Sequence, residues 1–131
     1  MIRTYDAQAI PPDVLLQLKA LTASEYSGLS CWLGHRVPGT VITWSSINCI
    51  TGWCYCNEKR NGEVLLGVYV AVGWRHQSIG GVLVDHAVEL YRGKRLIRFV
   101  PGTEVARRLY DHIPVECRVE DLRPPHWGVT R

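Results

Sequence analysis

The residues best placed to do chemistry lie together in Tyr69-Val70-Ala71-Val72-Gly73-Trp74-Arg75-His76-Gln77-Ser78-Ile79-Gly80-Gly81-Val82-Leu83. A strand-like run passes through a basic, glycine-containing loop directly into residues spaced for a helix. At a helix N-terminus several backbone N–H groups have no intrahelical partner and point outward with the positive end of the dipole. A loop without bulky side chains there can wrap a phosphate. Gly80 and Gly81 give that access. Arg75 can add a charge-assisted contact, and the Ser78 hydroxyl can either cap the helix or donate to a phosphate oxygen. His76 sits in the same loop, facing solvent or the phosphate-bearing ligand.

Other titratable groups are less pointed. The five cysteines, Cys31, Cys49, Cys54, Cys56 and Cys117, form no C-x-x-C pair and have no histidines following at zinc-finger intervals, so no metal site is expected. Cys54 and Cys56 stand two apart in a β-like run, share one face of a strand and read as buried, reduced thiols. His35, His86, His112 and His126 have no partner spacing that singles them out. Asp85 and Glu89, one helical turn apart, read as a solvated face.

The elements that must position the loop follow from periodicity. Residues 2–6 read as a strand. Pro11-Pro12-Asp13 opens a helix with apolar Val14, Leu15, Leu18 and Leu21 at three- and four-residue intervals. A second helix is expected over 24–33, between an N-cap at Ser24 and a stop at Gly34. Val41 to Trp44, Cys49 to Cys56 and Val64 to Val72 are rich in β-branched and aromatic residues and read as three strands. Asn61-Gly62 supplies positive-φ residues for a tight hairpin between the last two. Ile79, Val82, Leu83, Ala87 and Leu90 then fall at helical spacing. Leu96 to Val100 is a strand, and Ala106, Leu109, Tyr110 and Ile113 mark a helix stopped by Pro114. Val115 to Val119 is a further strand, and 127–130 a short edge strand. The order is β-α-α-β-β-β-α-β-α-β, a mixed α/β layout around a largely antiparallel sheet.

Composition narrows the classes of function. The 131 residues, 47% apolar and 21% charged, suit one domain over 1–131 that can bury a core without staples. No window approaches a membrane span, and the N-terminus lacks the features of a secretory leader, so a cytoplasmic protein is expected. The excess of 15 basic over 12 acidic residues is slight. Arg92, Lys94, Arg95, Arg98, Arg107 and Arg108 read as solvated charges, and no nucleic-acid partner is expected.

Arg75-x-x-Ser78-x-Gly80 resembles the Arg/Gln-x-x-Gly-x-Gly/Ala signature of the GNAT superfamily of N-acetyltransferases, which occupies this kind of strand-to-helix junction. It departs at Ser78, where the family usually has glycine. Tyr69-Val70 and Ile79, Leu83 and Ala87 look like the family's fourth strand and third helix. Pro101 to Tyr110 is similar to its Asn-x-x-Ala-x-x-x-Tyr helix, with Thr103 in place of the asparagine and Ala106 and Tyr110 matching. The resemblance is strong from about residue 50 to 113.

The resemblance implies a GNAT-like α/β fold of mixed α+β type, with helices on both faces of the sheet, and acetyl-CoA as cofactor. Its pyrophosphate would rest on the backbone amides of Arg75, His76, Gln77, Ser78, Ile79 and Gly80, beside Gly81, with Thr103 at the family's asparagine position. Its pantetheine arm would lie along the strand ending at Val70-Ala71-Val72, where that strand splays from the one near Leu96 to Val100. An N–H near Val70 would polarise the thioester carbonyl, and an acceptor amine would attack directly. Tyr110 would be the general acid at the departing sulfur; read without the family it is a core aromatic of its helical stripe. Glu63 is the candidate general base, against its reading as a solvated hairpin-edge carboxylate. Trp74 could cover the cofactor or anchor the junction. Trp32, Trp44, Trp53 and Tyr55 could shape an acceptor pocket or simply fill the core. The expected activity is acetyl transfer to a primary amine of a small molecule or protein, by a monomer or homodimer. The alternative is a weak or inactive interaction protein that keeps CoA as a structural ligand.

Overall fold

A computed structural model of the chain describes residues 1–22, 38–60, 62–75, 77–92 and, for the backbone, 96–99. The expected helix over 24–33, the segments from Pro101 onward, and with them Thr103 and Tyr110, lie outside the described residues, as does His76. The described elements are β1 (Ile2–Asp6), α1 (Pro12–Thr22), β2 (Gly39–Ser46), β3 (Cys49–Glu58), β4 (Glu63–Val70), a 3-10 turn (Val72–Trp74), α2 (Ile79–Leu90) and β5 (Leu96–Phe99). The strands form one sheet in the order β1-β2-β3-β4-β5. The first four are antiparallel neighbours, and β5 joins β4 in parallel, so α2 is the crossover that a parallel pair requires.

Period-two alternation divides the sheet into two faces. Ile42, Cys54, Cys56, Val64 and Leu66 point to one side, where α2 covers them with Ile79, Leu83, Val84, Ala87 and Tyr91. Val41, Trp53, Tyr55 and Tyr69 point to the other, under Val14 and Leu18 of α1. Cys54 and Cys56 are both buried on one face, as their spacing predicts, while Cys49 is exposed. Helices on both faces are therefore present. The buried line of α2 runs Ile79, Leu83, Ala87, Tyr91 at four-residue intervals. Val82, counted in the stripe from sequence, falls on the flank at 38% exposure, and Leu90 is 47% exposed at the helix end.

Both hairpins depend on positive φ. Ser46 pairs with Cys49, and Ile47 and Asn48 between them take φ 48° and 64°, the two left-handed residues of a two-residue turn. The β2–β3 pairing jumps from Trp44↔Gly52 to Ser45↔Ile50, so Thr51 is the extra residue of a bulge. At the other hairpin Lys59 N–H donates to Glu63 O and Gly62 N–H to Lys59 O. Gly62 stands at φ 88°. Its loop is thus one residue longer than a two-residue Asn-Gly turn.

The strand expected to reach Val72 ends at Val70. Ala71 N–H still donates to Thr51 O at 2.8 Å, but Trp74 N–H then turns back to Ala71 O at 2.8 Å and closes the 3-10 turn. Ala71 and Val72 therefore belong to the junction rather than to β4. Gly52 allows α2 to approach there: a Cβ on it would lie 3.0 Å from Ile79 Cγ2 and 3.4 Å from Leu83 Cδ1.

Candidate active site

The site is built where β4 gives way to α2. β4 pairs with β5 only from Glu63↔Leu96 to Leu66↔Phe99, so among the described residues Gly67–Val70 continue past β5. Glu63 O and Ala71 N–H both face β3. In an antiparallel ladder these directions alternate, so the N–H and C=O groups of Val68 and Val70 face the β5 side. The end of β4 thus presents strand-edge donors and acceptors past the last described residue of β5, with the Val70 carbonyl among them bonded to Arg75 Nε.

The loop then turns into α2 at Ser78, held at φ 65°, ψ 11°. That is the left-handed region in which glycine is most at ease, so the backbone follows a glycine's path although the residue is serine. The Ser78 hydroxyl makes no capping bond. Ser78 O accepts the first helical bond, from Val82 N–H at 3.0 Å. The N–H groups of Ile79, Gly80 and Gly81 precede that bond and have no backbone acceptor among the described residues. With the dipole behind them they make the kind of helix terminus that can accept an anion. Gln77 and Ser78 are exposed and Gly80 half-buried.

Arg75 does not extend into solvent. Its Nε donates to Val70 O at 2.8 Å, and its guanidinium carbon stands 5.6 Å from the centre of the Tyr69 ring. Tyr69, which the sequence reading left without a role, is a buried platform on the α1 face. Its only sequence signal is its alternation with Val68 and Val70. Trp74 is half-buried and packs against the α2-side core, the anchor arrangement. Trp53 and Tyr55 are core residues at 0% and 7% exposure. Burial, with Cys54 and Cys56 beside it, pushes the Tyr55 hydroxyl up to about 12.

Val70, Ala71, Val72, Arg75, Gln77, Ser78, Ile79, Gly80 and Gly81 are thus contiguous around one end of β4. Glu63 is not brought to them. It is the first residue of β4 and Val70 the last, a separation of roughly 23 Å of extended strand. Sequence reasoning also passed over Tyr91, which follows α2. Its hydroxyl donates to Glu58 Oε2 at 2.6 Å and lies 2.8 Å from Thr40 Oγ1, tying the end of the helix to β2 and β3. Among the described residues no group of histidines, cysteines and carboxylates could hold a metal ion, and no helix is long and apolar enough to cross a membrane.

Comparison with known proteins agrees with this geometry. A GNAT family acetyltransferase from Brucella melitensis, solved with acetyl-CoA, superposes with a TM-score of 0.62 at 15% identity, over 82% of this chain and 80% of that one. The ribosomal-protein-S18-alanine N-acetyltransferase of Escherichia coli gives 0.64 at 12% identity, over 85% and 75%. Diaminobutyrate acetyltransferase from Paenibacillus lautus, solved with L-2,4-diaminobutyric acid and coenzyme A, gives 0.63 at 14% identity, over 84% and 71%. At such identities the likeness shows the fold. No curated protein matches the sequence. The sequence model of the acetyltransferase (GNAT) family matches residues 11–113, most of the chain, and the protein belongs to the GNAT acetyltransferase family.

Proposed function

We propose that the protein transfers an acetyl group from acetyl-CoA to a primary amine by direct attack. The feature that carries this reading is the N-terminus of α2 beside the end of β4, where the N–H groups of Ile79, Gly80 and Gly81 have no backbone acceptor among the described residues. Acetyl-CoA supplies an activated acyl thioester when bound. The loop from Arg75 to Gly81 holds a diphosphate through backbone donors and the helix dipole. The edge of Val68 and Val70 takes an extended arm as a strand takes a neighbour, and an N–H on that edge stabilises negative charge developing on an acyl oxygen. Tyr110 donates the proton to the departing thiolate. Glu63, at the opposite end of β4 from Val70, is too far to take the amine proton directly or through one water.

Two measurements test this. Titration calorimetry with acetyl-CoA is expected to give a Kd of about micromolar order, and Gly80→Trp to weaken it about tenfold or more by filling the space over the N–H groups. Wild-type protein given acetyl-CoA and a pool of primary amines is expected to release CoA thiol above background hydrolysis. No heat of binding at high concentration would refute the reading. Binding without thiol release would instead support an interaction protein that keeps CoA as a structural ligand.

A further inference from the structure

We infer that Arg75 is a positioning residue, whose side chain latches the β4–α2 loop onto the last carbonyl of β4 rather than serving as a charged ligand for phosphate. The inference rests on the acetyl-transfer reading above. Val70 C=O projects to the β5 side of β4, beyond the last described pair, Leu66↔Phe99, and the Arg75 Nε occupies it at 2.8 Å. The guanidinium is set over the ring of Tyr69, itself 8% exposed and packed in the α1-side core. One side chain thus closes a ring from the end of the strand across the 3-10 turn. The turn is already closed on itself by Trp74 N–H to Ala71 O. With both closures the loop enters α2 from a fixed place, and the N–H groups of Ile79, Gly80 and Gly81 inherit that orientation. A positioning role of this kind is felt through geometry, since small misplacements of a bound reactant are costly in rate.

The chemistry of the latch separates it from a charge contact. In glutamine Nε2 hangs from Cδ, as Nε does in arginine, so Arg75→Gln keeps a donor at the same distance along the side chain and loses the charge. Lysine has a methylene there, so Arg75→Lys keeps the charge and loses the donor. Each variant and Arg75→Ala is assayed for kcat/KM with acetyl-CoA and with S-acetyl-pantetheine, which lacks the phosphates. The latch predicts that Arg75→Ala and Arg75→Lys lose activity by about 10- to 100-fold with both donors, and that Arg75→Gln recovers most of it with both. A loss confined to acetyl-CoA, rescued by lysine and not by glutamine, would overturn the latch in favour of a phosphate contact, as would no loss at all. Amide hydrogen exchange of residues 71–81 in the free protein is the second arm. It is expected to quicken in Arg75→Ala and return to wild-type rates in Arg75→Gln, and unchanged exchange in Arg75→Ala overturns the latch. Should wild-type protein neither bind nor turn over acetyl-CoA, the acetyl-transfer reading falls, and the exchange arm still decides the latch.

Discussion

Ser78 is an exposed side chain held at φ 65°, with no capping bond to compensate. A left-handed conformation costs a residue with a Cβ about 1–2 kcal/mol, and glycine gives back about 0.5–1 kcal/mol through its larger loss of freedom on folding. Ser78→Gly is therefore expected to stabilise the protein by up to about 1 kcal/mol, read as a higher denaturation midpoint, without loss of acetyl-CoA affinity. A lower midpoint would show that the hydroxyl has a structural task the geometry does not reveal. The buried Cys54 is quiet at this scale. Burial pushes the Cys54 thiol well above its ordinary range, which leaves it protonated and un-nucleophilic at neutral pH.

The relation between α2 and the sheet determines where the N-terminus of that helix sits. Gly52 lies under the first turn of that helix, and a Cβ there would meet Ile79 Cγ2 at 3.0 Å, Tyr69 O at 3.3 Å and Leu83 Cδ1 at 3.4 Å. A branched side chain must push the helix away. Gly52→Val is expected to cost about 1–3 kcal/mol by overpacking and, because Ile79 is the first residue of α2, to weaken acetyl-CoA binding about tenfold. Urea unfolding and calorimetry check the two effects separately. Lowered stability with unchanged affinity would mean that the terminus is held from the loop side alone, through Arg75 and the 3-10 turn.

Across the described residues, two tyrosines, together with the buried Cys54 thiol, contribute to stability at high pH. Burial, then the hydrogen bond to Glu58, holds the Tyr91 hydroxyl well above its ordinary 10, with Thr40 acting the other way. Burial raises Tyr55 to about 12. Both stay protonated in the fold after an unfolded tyrosine has begun to ionise. Their contribution is complete below pH 10 and is lost as pH rises through about 12 for Tyr55 and higher for Tyr91. Tyr91→Phe removes the donor to Glu58, is expected to cost about 1–2 kcal/mol at pH 8, and flattens the fall in stability above pH 10. Guanidinium midpoints from pH 8 to 11 measure both. An alkaline fall identical in wild type and variant would count against Tyr91 as its source.

Much of the arrangement was legible in the residues because it is local. β-Branched and aromatic residues in Val41–Trp44 and Cys49–Cys56 marked strands, helical spacing from Ile79 marked α2, and Gly62 marked a turn, since each depends on neighbours in the chain. The strand-to-helix junction at Arg75–Gly81 was readable for the same reason: a helix N-terminus carries its open donors wherever it occurs. Tertiary packing decided the rest. The end of β4 at Val70 depends on Trp74 turning back to Ala71, the place of Arg75 on the way the chain folds back to Val70 and Tyr69, the buried flank of α2 on where the sheet lies, and the position of Tyr91 on Thr40 and Glu58 far along the chain. Such contacts leave no period in the sequence, because what places them is the meeting of faces that only the folded sheet brings within reach.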